Sequence, residues 1–388
     1  MARPRDPRTI AAANGVGSDK AFGAVTPPLH LSTTYLFAGF EQEGRYAYSR
    51  TANPTRDQLA DTLAKLEGGA GAVVTSSGMA AVDLVLAQVP HGRLIVAPHD
   101  CYGGTYRLLA ARAERGQFEL AFVDQSDPAA VAGALARGPA LLLIETPSNP
   151  LLRVVDIAAL SGLAKAAGAK VAVDNTFLSP ALQQPISLGA DYVIHSTTKY
   201  LNGHSDVVGG AVVAADPDEA AALAAWANMT GVTGAPFDAY MILRGVRTLF
   251  PRIERQQQNA AALAAFLNGH PAVQAVHYPG LASHPGHAIA SVQQAGFGAM
   301  LSFDLAGDTA AVRAFVEAVE VFSLAESLGG VESLVAHPAT MTHVGMSPEA
   351  RAVAGIGPGL LRLSVGLESE ADLLADLDQA LAAATRAT

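Results

Sequence analysis

A lysine at position 199 follows an apolar run that ends in hydroxyl residues. The run reads Tyr192-Val193-Ile194-His195-Ser196-Thr197-Thr198-Lys199. A lysine just past a buried strand is partly desolvated, which favours the neutral amine that attacks an aldehyde. The hydroxyls of Ser196 and Thr198 would suit a phosphate. The alternative is an ordinary strand end whose lysine extends its ammonium group into solvent.

Two further strand ends carry residues that complement such a lysine. The turn Ser76-Ser77-Gly78-Met79 leaves a strand and opens a helix, where free backbone N–H groups and the helix dipole favour an anion. Many turns of this composition bind nothing, and this one lacks the lysine of a P-loop. Asp174 ends the apolar run Val171-Ala172-Val173, where a buried carboxylate needs a cation or hydrogen-bond donors. A turn that starts at Asp174 would supply donors, and a protonated ring nitrogen would supply the cation.

The lysine, the aspartate and the small-residue turn share one position in the predicted fold, the carboxyl ends of strands. Ligands of open parallel sheets bind beyond those ends. An aldehyde would bond to Lys199, a protonated pyridine nitrogen would pair with Asp174, and a phosphate would bind the hydroxyls and the helix N-terminus. Pyridoxal 5'-phosphate carries all three groups. The pattern therefore predicts a pyridoxal phosphate site.

Alternating strand and helix patterns predict an α/β fold around these residues. Short apolar runs predict strands at Ala72-Thr75, Leu94-Ala97, Glu119-Val123, Ala140-Glu145, Lys170-Asp174, Tyr192-His195 and Gly210-Ala214. Amphipathic stretches predict intervening helices at Met79-Val89, Tyr102-Arg115, Pro128-Ala136 and Ile157-Ala167. Apolar strands separated by helices indicate a mainly parallel central sheet covered on both faces.

The chain divides into three predicted segments. Residues 1–54 are rich in Pro, Gly, Thr and Tyr without strand or helix periodicity, which predicts an N-terminal arm whose aromatic residues need a surface to rest on. Residues 55–251 form the predicted cofactor-binding α/β domain, whose first helix begins with Thr55 as N-cap. Residues 252–388 predict a smaller α+β domain, with helices at Arg252-Leu267 and Ser369-Ala383 and strands at Ala299-Leu305 and Leu360-Val365.

Composition narrows the functional class. The 388 residues are 50% hydrophobic and 15% charged, and the net charge of −10 argues against binding to nucleic acid or an anionic membrane. No run approaches the ~20 apolar residues of a membrane span. Residues 1–17 lack the continuous apolar stretch of a signal peptide. A single cysteine, Cys101, excludes an intrachain disulfide, so we expect a cytoplasmic protein.

The chain resembles the Cys/Met-metabolism family of pyridoxal-phosphate enzymes over almost its whole length. The main match is His195-Ser-Thr-Thr-Lys199-Tyr-Leu-Asn-Gly-His-Ser-Asp-Val-Val-Gly-Gly210. Further matches are Tyr48-Ser-Arg50, Ser77-Gly-Met79, Cys101-Tyr-Gly-Gly-Thr-Tyr-Arg107, Glu145-Thr-Pro-Ser-Asn-Pro150, Leu324-Ala-Glu-Ser-Leu-Gly-Gly, Thr340-Met-Thr-His343 and Leu361-Arg-Leu-Ser364. The resemblance implies the aspartate-aminotransferase-like fold, fold type I, usually assembled as a homotetramer of two catalytic dimers.

The resemblance also implies a role for each candidate residue. Lys199 would form the Schiff base, Asp174 would pair with the ring nitrogen, and Tyr102 would stack on the ring. The remaining cofactor ligands would be Ser77, Gly78, Met79, Ser196 and Thr198, with Tyr48 and Arg50 reaching the phosphate in a neighbouring subunit. The substrate ligands would be Arg362, Asn149, Ser327, Glu326 and Arg107, with Arg362 as a two-pronged clamp on the α-carboxylate. Tyr102 and Tyr48 are candidates to assist proton movements.

The implied activity is γ-replacement on an amino acid. Glu326 resembles the glutamate of enzymes that act at Cγ, and Gly104 stands where methionine-cleaving relatives carry cysteine. We therefore expect the acyl group of an O-acyl-L-homoserine, with succinyl as the expected group, to be replaced by the thiol of L-cysteine, giving L-cystathionine. Thr51 departs from relatives that carry a second arginine there, which leaves recognition of succinyl or acetyl open.

Two other functions remain open. One is γ-elimination from cystathionine, which uses nearly the same site and would release cysteine, 2-oxobutanoate and ammonia. The other is a non-catalytic binding module on the same fold, against which the intact Lys199 and Asp174 argue. Cys101 is expected to pack as a small apolar residue. His195, His204 and His343 lack metal-ligand spacing, so we expect structural hydrogen bonds and no metal.

Overall fold

The computed structural model describes residues 5–387 and divides into two compact units. The first unit comprises Met1–Pro90 and Lys170–Phe250, and the second comprises His91–Ala169 and Pro251–Thr388. The first four residues of the predicted arm lie outside the described residues. The division into an arm, a large domain and a small domain stays a prediction.

The elements follow the alternation expected from the sequence. The helices are α1 (Pro7–Ala13), α2 (Pro54–Glu67), α3 (Gly78–Leu86), α4 (Gly103–Glu114), α5 (Pro128–Leu135), α6 (Ile157–Ala166), α7 (Ser179–Leu182), α8 (Pro217–Thr230), α9 (Pro236–Val246), α10 (Leu249–Asn268), α11 (His287–Gln293), α12 (Thr309–Ala318), α13 (Pro348–Ala354) and α14 (Glu370–Ala387). The strands are β1 (Gly71–Thr75), β2 (Leu94–Pro98), β3 (Glu119–Val123), β4 (Leu141–Glu145), β5 (Lys170–Asp174), β6 (Tyr192–His195), β7 (Gly210–Ala214), β8 (Val273–His277), β9 (Met300–Leu305), β10 (Ser323–Leu324), β11 (Leu334–Ala336) and β12 (Leu360–Ser364).

The first unit contains strands in the order β1, β7, β6, β5. β5 and β6 pair in parallel, whereas β7 pairs antiparallel with both β1 and β6. β7 runs against its neighbours because no crossover helix separates it from β6, and a parallel return needs one. Every residue of β6 and β7 is buried, as continuous apolar runs predict.

The second unit contains two groups of strands. β2 pairs in parallel with β3 and with β4, whereas β8, β9, β12 and β11 pair antiparallel and β10 joins β11 in parallel. The smaller sheet packs its buried face against helices, with Phe303 of β9 meeting Phe315 of α12 edge to face at 5.6 Å. The predicted α/β class, with a mainly parallel sheet and a smaller α+β part, is confirmed.

The start of α2 corrects one prediction. The N-cap is Asn53, not Thr55: its side chain accepts hydrogen bonds from the backbone N–H groups of Thr55 and Arg56. Pro54 then occupies the first helical position, where its fixed φ suits a helix and its missing N–H costs nothing. The predicted end is correct, because Gly68 adopts the left-handed conformation with φ 73°.

Several elements were not predicted. α1 lies in the segment that we expected to lack periodicity, and its N-cap Asp6 accepts from the N–H of Arg8. α8 and β8 were also missed, because an alanine-rich helix and a strand with exposed residues give weak patterns. α9 and α12 were missed although both are amphipathic. Across residues 5–387, no helix has the length and apolar character of a membrane span.

Asn53 also ties the arm to α2. Its buried amide donates to the carbonyl of His30 at 3.0 Å, to the hydroxyl of Tyr35 at 3.2 Å and to Ser49 Oγ at 2.9 Å. One side chain therefore caps the helix through its oxygen and holds three arm residues through its nitrogen.

Replacing Asn53 separates these two roles. Asn53→Ala should lower the free energy of unfolding by about 2 to 4 kcal/mol, because it removes a cap and leaves buried arm acceptors unpaired. Asn53→Ser keeps a capping oxygen and should cost less. Asp308→Ala, which removes the exposed cap of α12, is the control and should cost about 1 kcal/mol. Urea unfolding measures all three, and equal losses for Asn53→Ala and Asp308→Ala would contradict the anchoring role.

Candidate functional site

The candidate lysine lies in a tight turn that follows β6. Lys199 is half-buried; its backbone N–H donates to the carbonyl of Ser196 at 3.2 Å, and its carbonyl accepts from the N–H of Gly203 at 2.7 Å. These bonds fix the turn backbone. The amine is thus carried on a rigid segment and not on a mobile loop.

The small-residue turn forms the N-terminus of α3. Ser77 caps the helix by accepting from the N–H of Ala80 at 3.1 Å. The first N–H groups of a helix, here those of Gly78 and Met79, have no intrahelical acceptor. Gly78 also lies against the other predicted phosphate ligand, because a Cβ built on it would be 2.7 Å from the Cβ of Ser196. The turn and the Ser196 hydroxyl are therefore neighbours, as an anion site requires.

Asp174 lies beside the segment that leads to the lysine. It is the register partner of Ile194 in the parallel pair β5–β6, and its Oδ1 accepts from the N–H of Thr176 at 3.0 Å. Thr176 Oγ1 in turn accepts from the N–H of Ser196 at 2.9 Å. Burial raises the pKa of Asp174, against the hydrogen bonds from Thr176 and the charge of a protonated His195, which lower it. A buried carboxylate of this kind is stabilised by a cation.

The hydroxyl of Thr198 is committed to the backbone. It donates to the carbonyl of Gly209 at 3.2 Å and accepts from the N–H of Gly209 at 3.0 Å. A hydroxyl has one proton, so Thr198 would have to release that carbonyl to donate to a phosphate. Its predicted role in cofactor binding stays a prediction.

The residues of the first unit fit pyridoxal phosphate. The half-buried amine of Lys199 matches its aldehyde, the buried carboxylate of Asp174 matches its ring nitrogen, and the N-terminus of α3 with Ser196 matches its phosphate. Among residues 5–387, no group of three His, Cys, Asp or Glu side chains is arranged to hold a metal ion.

The two predicted arm ligands are exposed. Arg50 lies over the ring of Tyr48 at 5.6 Å and donates to the carbonyl of Asn228 at 2.5 Å. Arg56, which is buried on α2, holds this segment by donating to the carbonyls of Ser49 at 2.6 Å and Arg50 at 3.2 Å. The sequence analysis did not predict that Arg56 holds the arm. The only sequence signal for this role is its position in the first turn of α2.

The second unit holds the predicted substrate ligands, and three of them meet. Arg362 is buried on β12 and donates to Asn149 Oδ1 and to the carbonyl of Ser327, both at 2.9 Å. Ser327 adopts a positive φ of 92°, a conformation that residues other than glycine rarely take. The guanidinium is therefore held from two sides, which suits an arginine that orients a carboxylate.

Glu145 links this group to Tyr102. Its Oε1 accepts from the N–H of Asn149 at 3.1 Å, and its Oε2 accepts from the N–H of Tyr102 at 2.8 Å. The family resemblance includes Glu145 in a matching motif but assigns it no role. Its position as the last residue of β4 could have indicated this role, because strand-end carboxylates commonly bind nearby N–H groups.

Arg107 and Glu326 are exposed and stay predictions as substrate ligands. Arg107 packs against Gly345, where a Cβ would lie 2.5 Å from the guanidinium. The structure therefore brings Arg107 to the loop that includes His343.

The histidines make hydrogen bonds and Cys101 is buried, as the sequence analysis predicts. His343 Nε2 donates to the carbonyl of Asn149 at 3.1 Å, and its Nδ1 lies 2.8 Å from the hydroxyl oxygen of Thr342. These contacts suit the neutral ring, with its proton on Nε2. Burial and the nearby charge of Arg362 lower the pKa of His343 to about 4. Cys101 is fully buried, and His204 contacts the carbonyl of Asn202 at 2.8 Å.

His343 should make the protein less stable in acid. Between its ordinary value of 6.5 and about 4 the unfolded chain binds a proton that the folded chain does not, so the free energy of unfolding falls as the pH falls below 6.5. The contribution at pH 5 is about 2 kcal/mol. Urea unfolding at pH 7.5 and pH 5 should show a smaller acid loss for His343→Gln than for wild type. Exposed His91→Gln is the control, and an unchanged loss in His343→Gln would contradict the argument.

Comparisons with known proteins cover the whole chain. Residues 8–382 match the family described as Cys/Met metabolism PLP-dependent enzymes. Cystathionine γ-synthase of Escherichia coli (strain K12) is 56% identical over 383 residues, which cover 98% of this chain and 99% of that protein. Cystathionine γ-lyase of Bacillus subtilis (strain 168) is 45% identical over 374 residues, which cover 96% and 98% of the two chains.

A solved structure agrees over the same extent. The crystal structure of cystathionine gamma synthase from Xanthomonas oryzae pv. oryzae, in complex with aminoacrylate and cysteine, matches with a TM-score of 0.99 and 56% identity over 100% of both chains. The predicted fold type I and the pyridoxal phosphate cofactor are therefore confirmed. The chain belongs to the Cys/Met-metabolism family of pyridoxal-phosphate-dependent enzymes.

Proposed function

We propose that the protein is a cystathionine γ-synthase. It would replace the acyl group of O-succinyl-L-homoserine by the thiol of L-cysteine, giving L-cystathionine and succinate in methionine biosynthesis. The observation that carries the proposal is the full-length similarity to γ-synthases, at 56% identity in sequence and a TM-score of 0.99 in structure. The buried Arg362, held by Asn149 and Ser327, fits a substrate with an amino-acid carboxylate.

The cofactor-binding residues prepare the reaction. When bound, pyridoxal phosphate supplies an aldehyde and a conjugated ring that accepts electrons from the substrate. Lys199 would hold the cofactor through its Nζ when no substrate is bound, and its amine would accept the proton from the substrate Cα. Asp174 holds the positive charge of the ring nitrogen. Gly78, Met79 and Ser196 orient the phosphate.

The substrate-binding residues would act at the other end of the amino acid. Arg362 binds the α-carboxylate with its guanidinium fork, and Asn149 and Ser327 fix the direction of that fork. The carboxylate of Glu145 binds the backbone N–H groups of both Tyr102 and Asn149 and so fixes their relative positions. A second proton would leave Cβ, and the C–O bond at Cγ would break with loss of succinate. The sulfur of cysteine would bond to Cγ with loss of the thiol proton, and protons would then return to Cβ and Cα.

The proposal includes a homotetramer of two catalytic dimers in the cytoplasm. Its support is the arm, where Phe22, Leu36 and Phe40 are 94%, 97% and 91% exposed. Large apolar side chains exposed to this degree mark an interaction surface. Tyr48 and Arg50 on the same arm would then bind the cofactor phosphate of a neighbouring subunit. A single cysteine fits a reducing compartment.

A γ-lyase is the second candidate. The 45% identity to the γ-lyase of Bacillus subtilis favours it, although less than the similarity to the synthases favours γ-replacement. Both reactions would use Lys199, Asp174 and Arg362, so these residues do not separate them.

Product analysis separates the two reactions. The purified protein should convert O-succinyl-L-homoserine and L-cysteine into cystathionine and succinate, as measured by mass spectrometry. Turnover of the O-acetyl substrate should be slower, because it lacks the carboxylate of the succinyl group, which would bind Arg107. Rapid formation of 2-oxobutanoate and ammonia from cystathionine alone, with no γ-replacement, would instead identify a lyase.

Lys199 should be essential for turnover. Lys199→Ala should lower kcat by at least about 100-fold, the scale of one general acid–base group, while the circular dichroism spectrum stays unchanged. Borohydride reduction of the wild-type protein loaded with pyridoxal phosphate should attach the cofactor to Lys199, as located by peptide mass spectrometry. Lys165→Ala removes an exposed lysine of α6 and should keep the wild-type rate. Near-wild-type turnover in Lys199→Ala would refute the proposed role.

A further inference from the structure

A buried acid–base pair lies beneath the cofactor-binding residues of the first unit. Glu67, the last residue of α2, and His195, the last residue of β6, are each 1% exposed. Their Oε1 and Nε2 atoms are 2.6 Å apart. The proposed reaction does not use either residue.

One oxygen of Glu67 joins two strand ends. Besides His195 on β6, Oε1 accepts from the amide of Asn175 at 2.9 Å, and Asn175 directly follows Asp174 on β5. Asn175 is fixed further by Gln183, which accepts through its carbonyl at 2.8 Å and donates back to Asn175 Oδ1 at 3.1 Å. Glu67 therefore holds both segments that carry cofactor ligands, from the side opposite to the Thr176 contacts.

The contact between the two side chains is short and isolated. Within the described residues, neither the second oxygen of Glu67 nor Nδ1 of His195 has a hydrogen-bond partner, so the Oε1–Nε2 contact is the main polar contact of the ring. A buried carboxylate costs several kcal/mol unless a positive charge lies against it, and the ring of His195 can supply that charge. A short N–H···O contact is typical of a protonated donor and an ionised acceptor.

The charge of His195 also acts on Asp174. The charged groups facing His195 are Glu67 from α2 and Asp174 from β5. A protonated His195 lowers the pKa of Asp174, against the burial that raises it. Asp174 must be ionised to attract a protonated ring nitrogen, so a neutral His195 would leave the buried carboxyl closer to its protonated form.

We propose that Glu67 and His195 are positioning residues for the cofactor. Glu67 keeps the His195 ring protonated, and the imidazolium keeps Asp174 as a carboxylate placed to receive the protonated ring nitrogen of pyridoxal phosphate. The pair thus sets how tightly the cofactor is held. This goes beyond the proposed reaction, because it applies whichever γ-substituted amino acid the enzyme takes.

Two variants test the charge without large changes in shape. Glu67→Gln keeps an amide oxygen for Asn175 and His195 but carries no charge, and His195→Gln removes the cation. The cofactor is removed from each purified protein, and the dissociation constant of added pyridoxal 5'-phosphate is measured by absorbance without substrate. We expect both variants to bind at least tenfold more weakly than wild type. A Glu67→Gln dissociation constant within twofold of wild type would overturn the proposal.

A matched control separates charge from general loss of stability. Asp376 is another buried carboxylate, which accepts from the backbone N–H groups of Glu320, Val321 and Phe322 in the second unit. Asp376→Asn should lower the melting temperature and leave cofactor affinity unchanged. If it weakens cofactor binding as much as Glu67→Gln does, the loss reflects destabilisation and the proposal is wrong.

A measurement on the wild-type holoenzyme keeps the proposal testable if the variants do not fold. With ¹⁵N-labelled histidine, the proposal predicts one ring that carries a proton on both nitrogens at about pH 8. The absence of any such ring would overturn the proposal. Because neither measurement uses turnover, failure of the proposed reaction would not affect either result.

Discussion

The parallel pairing of β5 with β6 is the constraint on which the cofactor-binding residues depend. Its register sets Asp174 beside Ile194, which places Asn175 next to His195 and Thr176 next to Ser196. Thr176 and Ser196 then meet on one side, while Asn175 and His195 meet Glu67 on the other. A slip of one residue would exchange the two sets, because side chains alternate between the faces of a strand.

Close backbone approach fixes the remaining parts of that group. Gly78 leaves room for Ser196, and Gly210 at the start of β7 leaves room for the carbonyl of Ser77, which a Cβ would contact. Glycine permits these approaches because it lacks a side chain. These close approaches help to hold the N-terminus of α3 and the turn that carries Lys199, together with the side-chain hydrogen bonds of Ser77 and Thr198. In the second unit, carboxylate and amide groups hold Arg362 and Tyr102 instead.

The protein carries ten net negative charges and yet would bind a phosphate and carboxylates. Local placement resolves this contrast. Arg362 is buried, and the neutral oxygens of Asn149 and Ser327 that hold it leave its positive charge in place. The N-terminus of α3 adds backbone donors. His343, neutral because of burial and the charge of Arg362, supports Asn149 without adding a competing charge or proton.

The amino-acid sequence by itself determined the strands and the residues at their ends. β3, β5, β6 and β7 begin and end where the apolar runs predicted, because the pattern of burial is local. It also predicted Lys199 and Asp174 from their positions at strand ends, and Arg362 from the family resemblance. Tertiary structure alone decided their supporting partners: Asn149 and Arg362 are 213 residues apart, and Glu67 and His195 are 128 apart. Such pairs have no local signature, because packing in the folded chain brings their side chains together.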